Sequence, residues 1–417
     1  MKYGLIGRNI ANSKSPLIHS LINNKTNYKL KELDDNGVIE FLKEKKFLGI
    51  NVTMPYKKAV LDFLSWKDDI VANTGVCNTI INCDGVLKGY NTDYYGFDYL
   101  IRENNIDIND KIIAILGTGA TSETIKYYLT KNCNSKVLQV SCHHKKHPNS
   151  IDIQQLYQEQ HIDIVINTTP VGREHLFYQS PIDIRKVQHV SCVLDINYYP
   201  TKSLLILDAM ELGIKTYNGL GMLVAQAYYA NELFFNTKYN NQKLIETVKL
   251  TILKELTNIV LIGMPYSGKS SIGQELARLL NKDFYDIDEE ITNYENKPIA
   301  NIINEKGINY FRNVESDFIK QYCLKKGVIA TGGGAILNNQ NIKMLKSQGV
   351  IVLLNRNSAN ILFDHSRPLS SNKEDYDKLY EQRKNIYNSI KDISFENNDI
   401  LETAKAIKEW FDAIFNS

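Results

Sequence analysis

Short apolar runs separated by stretches of helical spacing recur along the whole chain. Tyr3–Gly7, Leu48–Val52 and Thr79–Asn82 read as strands of an opening unit. Ile112–Leu116, Val137–Val140, Ile162–Ile166 and Val190–Asp195 form a second set. Four short apolar strands with helices between them are what a doubly wound sheet requires, so the pattern predicts an α/β chain. Beyond Tyr217-Asn218-Gly219-Leu220-Gly221 a helical stretch runs from Met222 to about Phe235, and a further one ends at Leu256. Ile259-Val260-Leu261-Ile262 opens a third strand-turn unit, after which Ile272, Leu276, Leu279 and Leu280 repeat at helical spacing.

The chain has 417 residues, too many for one ordinary core, and predicts two or three domains with a boundary near residues 250–257. No Gly/Ser- or Pro-rich linker intervenes, so the halves are expected to be closely joined. A net charge of +2 argues against a general nucleic-acid binder, whose phosphate contacts need a basic excess. No apolar run approaches the ~20 residues of a membrane span, and the start, Met1-Lys2-Tyr3-Gly4-Leu5-Ile6-Gly7, has no signal or transit character. The expectation is a cytoplasmic protein with no membrane partner. Six cysteines without a C-x-x-C pair read as free thiols, with neither a metal site nor a disulfide framework.

Two glycine turns suggest the chemistry. Gly117-Thr118-Gly119-Ala120-Thr121-Ser122 follows an apolar strand and reads as the first turn of a dinucleotide-binding unit. The second strand of that unit leads into Ser141-Cys142-His143-His144-Lys145-Lys146, which has no acid to hold a ribose 2′-hydroxyl and several candidate cations. That favours NADP, whose 2′-phosphate needs positive charge. Gly263-Met264-Pro265-Tyr266-Ser267-Gly268-Lys269-Ser270 matches the P-loop pattern. Its backbone N–H groups would cradle a phosphate, Lys269 would reach the β- and γ-phosphates, and Ser270 would bind Mg²⁺. Asp286 and Asp288, two residues apart at an expected strand end, point to one side, one suited to Mg²⁺ and the other to an acceptor hydroxyl. Arg312, Arg367 and Arg383 are candidate clamps for an anion.

Clusters of small hydrogen-bonding residues at strand ends suit a polyhydroxylated substrate: Ser13-Lys14-Ser15-Pro16, Asn51-Val52-Thr53-Met54-Pro55-Tyr56-Lys57, Val76-Cys77-Asn78-Thr79 and Asn91-Thr92-Asp93. With Asn218-Gly219-Leu220-Gly221 and the run to Ala227 they stand in the order of the shikimate dehydrogenase family, which residues 1–250 resemble. The resemblance implies Lys57 and Asp93 as the catalytic pair. It implies a substrate site of Ser13, Ser15, Thr53, Lys57, Asn78, Asp93, Tyr198, Gly219 and Gln226. NADP would be held by Gly117, Gly119, Ala120, Thr121, His143, Lys145, Thr168 and Met222. Ala120 replaces the family's second glycine, Glu123 stands near the place of a basic residue, and Ser141-Cys142-His143 replaces Asn-Arg-Thr.

The second half resembles shikimate kinase through its P-loop, Asp286-x-Asp288, Phe311-Arg312-x-x-Glu315, Gly332-Gly333-Gly334, Arg367-Pro368-Leu369 and Arg383-x-x-x-Tyr387. That resemblance implies an ATP site of Gly263, Pro265, Tyr266, Ser267, Gly268, Lys269, Ser270, Ser271 and Arg367, with Mg²⁺ on Ser270 and Asp286. It places the shikimate site at Asp288, Arg312, Gly332, Gly333, Gly334 and Arg383, and catalysis on Lys269, Asp288 and Arg367. The stretch Ile361-Leu362-Phe363-Asp364-His365-Ser366 is short and lacks the arginine that commonly stacks on adenine.

Together the resemblances imply a substrate domain (1–100 and 218–250), a Rossmann-like NADP-binding domain (101–217) and a P-loop kinase domain with a parallel sheet flanked by helices (257–417). The implied activity is NADPH-dependent reduction of 3-dehydroshikimate to shikimate, followed by ATP-dependent phosphorylation of shikimate. The expected partners are these small molecules; an oligomer is possible but not indicated. Two alternatives stay open: a quinate/shikimate dehydrogenase of relaxed cofactor use fused to the kinase, and a metabolite-sensing regulatory protein on the same folds.

Overall fold

The computed structural model describes residues 1–357, 361 and 372–416. They form two compact units, one of Met1–Tyr198 with Leu205–Ile252, the other of Tyr199–Leu204 with the chain from Leu253 onward. Arg367 and residues 362–366 of the short stretch before it lie outside the described residues. Among the described residues no helix is long and apolar enough to cross a membrane.

The first unit is built on two sheets. One holds β1 (Tyr3–Gly7), β2 (Tyr28–Glu32), β3 (Gly49–Val52), β4 (Trp66–Lys67), β5 (Thr79–Cys83) and β6 (Val86–Tyr90), in the order β2-β1-β3-β5-β6-β4. β1 runs parallel to β2 and β3, whereas β5 is antiparallel to β3 and β6. That reversal matters for the site. Asn51 pairs with Thr79, and Thr79 with Tyr90, so the segments carrying Lys57, Asn78 and Asp93 leave the sheet at one edge. β2 is a charged edge strand, Tyr-Lys-Leu-Lys-Glu, whose exposed lysines fit an unpaired side and hide it from an apolar-run reading. The helix Leu220–Phe235 presses Phe234 onto β3, where a Cβ on Gly49 would lie 2.4 Å from the ring.

The other sheet is wholly parallel: β7 (Ile112–Leu116), β8 (Lys136–Val140), β9 (Ile164–Asn167), β10 (Cys192–Asp195) and β11 (Lys215–Asn218), ordered β11-β10-β9-β7-β8. This is a doubly wound order, with its switch point between the carboxyl ends of β7 and β9. β9 and β10 each start two residues later than the apolar runs suggest. Asp163, just before β9, turns its carboxylate to the Ile112 N–H at 2.8 Å and caps the sheet instead of extending it.

The second unit carries a parallel sheet of β12 (Asn258–Ile262), β13 (Phe284–Asp286), β14 (Val328–Ala330), β15 (Gly349–Asn355) and β16 (Ile393–Glu396), ordered β13-β14-β12-β15-β16. Central β12 is buried along its whole length, as parallel strands covered on both faces must be. The helix Lys269–Leu280 packs Ile272 and Leu276 on one face of this sheet, with Phe411 beside them. The turn at residues 263–270 therefore sits at the carboxyl end of the middle strand.

Candidate active sites

In the first unit Lys57 leaves the loop after β3, its carbonyl held by the Cys77 N–H at 2.9 Å. Asp93 lies in the first turn of the helix Thr92–Glu103. Their side chains are 13% and 9% exposed and meet at 2.6 Å, Lys57 Nζ to Asp93 Oδ2. Asn78 Nδ2 donates to the other carboxylate oxygen at 2.9 Å. Removing both ions from water costs more than a surface pair returns, so such a contact is poor evidence of stabilisation and good evidence of chemistry.

The remaining expected substrate residues fall into smaller groups. Ser13 Oγ donates to Ser15 Oγ at 3.1 Å and accepts from the Ser15 N–H at 3.2 Å, which preorganises a hydroxyl pair. Burial pushes the Tyr198 phenol up, opposed by Arg173 and by a hydrogen bond from the backbone of Lys14, the residue between the two serines. Thr53 packs its methyl against Gly7. Gln226 stands beside Gly96, one turn along the helix from Asp93, with Nε2 on the Leu223 carbonyl at 2.9 Å. At Gly219 a Cβ would come within 1.9 Å of the Ile196 carbonyl oxygen, so only glycine fits there.

At the switch point Gly117 has φ +111°, and a Cβ there would meet Thr168 Oγ1 at 2.7 Å. Thr168 itself is tied to the Leu116 carbonyl at 2.7 Å. Gly119 precedes the helix Ala120–Asn132 with no side-chain cap, and open space lies where its Cβ would be. Free N–H groups at a positive helix end facing open space fit a pyrophosphate. Thr121 is half-buried in the first turn, as is Ala120. Past β8, His143 and Lys145 are exposed, as is Lys146. Met222 is buried with Phe97 and Leu100, its carbonyl close to Gly96, so its side chain belongs to the core.

In the second unit one cavity of about 440 Å³ joins Tyr266, Gly268, Lys269, Ser270 and Ser271 to Asp286, Asp288, Thr331, Arg356 and Ile361. Lys269 Nζ folds back on the loop, donating to the carbonyls of Gly263 (3.0 Å) and Met264 (2.9 Å) and to Ser267 Oγ (3.3 Å). Gly263 and Gly268 have φ +148° and +87°, the left-handed conformations that let successive N–H groups face inward. Pro265 lies against Gly333, 3.1 Å from where its Cβ would be. The helix Lys269–Leu280 has no side-chain cap at Gly268, which again fits a phosphate.

Asp286 and Asp288 correct one expectation. They do not share a strand face. Asp286 ends β13 and caps the helix Ile287–Glu295, its Oδ1 accepting from the Asp288 N–H at 3.0 Å and the Glu289 N–H at 3.3 Å. Its Oδ2 accepts from Ser270 Oγ at 2.5 Å. Asp288 instead turns toward Gly332, where a Cβ would lie 2.7 Å from its Oδ1. One hydroxyl and one carboxylate side by side suit Mg²⁺, which keeps most of its waters and takes few protein oxygens.

Around Gly332-Gly333-Gly334 gather Arg312, Glu315, Arg383 and Tyr387. Arg312 NH1 donates to fully buried Glu315 at 2.6 Å. Burial pushes the Glu315 carboxyl up, and Arg312 opposes the shift. Arg383 NH1 and Tyr387 Oη both donate to the Gly333 carbonyl, at 2.9 and 2.6 Å. A Cβ on Gly334 would come within 2.1 Å of Arg312 NH2. Sequence reasoning gave no role to Glu315, Arg356 or Asn397. Asn397 Nδ2 donates to the Ser267 carbonyl at 2.9 Å and braces the phosphate loop from the end of β16. For Arg356 a signal existed: it follows β15 at the carboxyl edge, where α/β sheets bind ligands.

The comparisons with known proteins fall on the same two regions. The family model described as "shikimate dehydrogenase substrate binding domain" matches residues 5–80, and that described as "shikimate kinase" matches residues 265–414. The NADP(+) shikimate dehydrogenase of Clostridium beijerinckii is 32% identical over 255 residues, which cover 58% of this chain and 94% of that protein. A chorismate mutase/shikimate 5-dehydrogenase fusion protein from Clostridium acetobutylicum superposes with a TM-score of 0.56 at 29% identity, over 60% of this chain and 96% of that one. Shikimate dehydrogenase 1 from Peptoclostridium difficile does so with the same score and identity, over 60% and 98%. With the Lys57–Asp93 pair at one edge of a mixed sheet and a P-loop cavity in the second unit, the chain belongs to the shikimate dehydrogenase family and carries a shikimate kinase domain fused behind it.

Proposed function

We propose that the first unit reduces 3-dehydroshikimate to shikimate with NADPH, and that the second phosphorylates the 3-hydroxyl of shikimate with ATP and Mg²⁺. The observation that carries the reading is the buried Lys57–Asp93 contact. Both oxygens of Asp93 accept, one from Lys57 and one from Asn78, so the carboxylate is the anchor and the lysine the group with a proton to give. When bound, NADPH supplies the hydride. The chain's task is to hold the ketone and deliver Lys57's proton to its oxygen as that oxygen turns into an alkoxide. Ser13 and Ser15 supply hydroxyl donors for the ring carboxylate, and Thr53, Tyr198 and Gln226 supply neutral partners for the hydroxyls. His143, Lys145 and Lys146 would meet the 2′-phosphate.

In the second unit the phosphate loop and Asp288 line the same cavity. ATP would supply the phosphoryl group, on the loop N–H groups and Lys269, with Mg²⁺ at Ser270 and Asp286. Asp288 would accept a hydrogen bond from the attacking hydroxyl and aim it. Arg312 and Arg383 would grip the ring carboxylate, Glu315 holding Arg312 in place.

The test uses the full chain with 3-dehydroshikimate, NADPH, ATP and Mg²⁺, identifying products by mass. Lys57→Ala should stop NADPH oxidation yet leave phosphorylation of added shikimate. Lys269→Ala should do the reverse. No shikimate 3-phosphate from the wild type, or loss of both activities from either change, refutes the reading. Equal rates with NADH or with quinate would move it to the relaxed-specificity alternative.

A further inference from the structure

Behind Asp93 runs a file of buried polar side chains that the chemistry above does not use. Tyr28, Asn51 and Thr79 are 7%, 5% and 0% exposed. Tyr28 Oη donates to Asn51 Oδ1 at 2.7 Å, and Asn51 Nδ2 donates to Thr79 Oγ1 at 2.9 Å. Thr79 Oγ1 donates to Asn78 Oδ1 at 3.0 Å, and Asn78 Nδ2 to Asp93 Oδ1 at 2.9 Å. Every proton in the file points the same way.

Two backbone groups set that direction. The Thr92 N–H donates to Asn78 Oδ1 at 2.7 Å, and Asn51 Nδ2 reaches the Asn78 carbonyl at 3.4 Å. A backbone N–H cannot accept and a carbonyl cannot donate, so both amides have one orientation. The Thr79 hydroxyl, already receiving from Asn51, has its own proton left for Asn78 Oδ1, with Thr92 Oγ1 3.2 Å away on the same side. Burial pushes the Tyr28 phenol well up, which keeps it a donor. Its ring stacks on His19 with centroids 3.9 Å apart. Burial drives His19 down to about 3, so no titrating charge intrudes near neutral pH.

We propose that Tyr28, Asn51 and Thr79 are positioning residues for the reduction, a one-way hydrogen-bond chain that orients Asn78 and holds Asp93 as a pure acceptor, leaving Lys57 to give the proton. In a low-dielectric interior such a chain is cooperative, and one missing link leaves two groups short. The proposal rests on the dehydrogenase reading above.

The test compares Thr79→Val, Thr79→Ser and Tyr28→Phe in the full chain, with the thermal unfolding midpoint of the first unit as the control for an intact fold. Valine keeps the shape and removes the hydroxyl; serine keeps the hydroxyl. Thr79→Val should lower kcat for reduction about tenfold, one hydrogen bond's worth of alignment, with KM for 3-dehydroshikimate within about twofold. Thr79→Ser should recover most of it, and Tyr28→Phe should lower kcat about threefold. Should Thr79→Val fail to fold, Tyr28→Phe carries the same decision through its kcat alone. Equal kcat values for the valine and serine variants, an effect confined to KM, or a wild-type kcat in Tyr28→Phe overturns the proposal while the dehydrogenase reading stands. A wild-type chain unable to reduce 3-dehydroshikimate overturns both.

Discussion

Gly334→Ala should separate substrate grip from stability in the kinase unit. Gly334 has φ −107° and ψ 0°, a conformation open to alanine, so the backbone itself is not strained. The new Cβ would stand 2.1 Å from Arg312 NH2, against about 3.4 Å for an ordinary contact, so the guanidinium must retreat by about 1.3 Å. The tip of a long side chain moves cheaply as long as another of its N–H groups stays on buried Glu315, and alanine restricts the unfolded chain more than glycine, so the melting temperature should hold or rise slightly. The retreat removes Arg312 from the place set by Glu315 at 2.6 Å. A charge-assisted hydrogen bond is worth about 1.5–3 kcal/mol, or roughly 10–100-fold in kcat/KM for shikimate. ADP release measured against shikimate concentration reads this directly, and NADPH oxidation by the same chain is the internal control. An unchanged KM for shikimate would falsify the assignment of Arg312 as a carboxylate clamp. A large fall in melting temperature would refute the cheap-retreat premise.

Three further outcomes follow from the geometry. Asp286→Asn keeps an acceptor for the helix Ile287–Glu295, so stability should change by less than about 1 kcal/mol, whereas the Mg²⁺ needed for half-maximal kinase rate should rise about tenfold or more; a wild-type Mg²⁺ titration contradicts the site. Gly268→Ala forces a residue with φ +87° to carry a Cβ 2.2 Å from Asn397 Nδ2, so kinase activity should vanish and the kinase unit should lose about 1–2 kcal/mol or more in urea unfolding; retained activity rules the account out. His19 should make the dehydrogenase unit acid-sensitive. Its folded pKa, about 3, lies below its ordinary 6.5, so the neutral form stabilises the fold above 6.5, and that contribution is lost as pH falls toward 3. Between pH 7 and 5 the loss is about 2 kcal/mol by urea unfolding, and His19→Asn should flatten the slope; parallel slopes for the two proteins exclude His19 as the cause.

Much of the architecture was legible because central parallel strands are buried on both faces and declare themselves as unbroken apolar runs, as Ile112–Leu116 and β12 do. The edge strand β2 was not, since its exposed lysines serve solubility and leave no apolar signal. The register that sets Asn51 opposite Thr79 was equally hidden, because antiparallel pairing of β3 with β5 depends on the whole sheet and on nothing local. Asp286 and Asp288 show the limit most plainly. Their spacing suggested one strand face, but the chain turns into a helix between them, and Asp286 is drawn back as its cap.

By itself the sequence settled the features whose causes are local. Glycines where φ must be positive, a lysine and serine at the start of a helix, and apolar periodicity all act within a few residues of themselves. Folding decided which distant side chains meet: Lys57 with Asp93, Asn51 with Tyr28, and the Arg383 guanidinium with Gly333. Those contacts depend on strand order and burial, and a hydrogen bond becomes strong and directional only once the surrounding chain has excluded water from it.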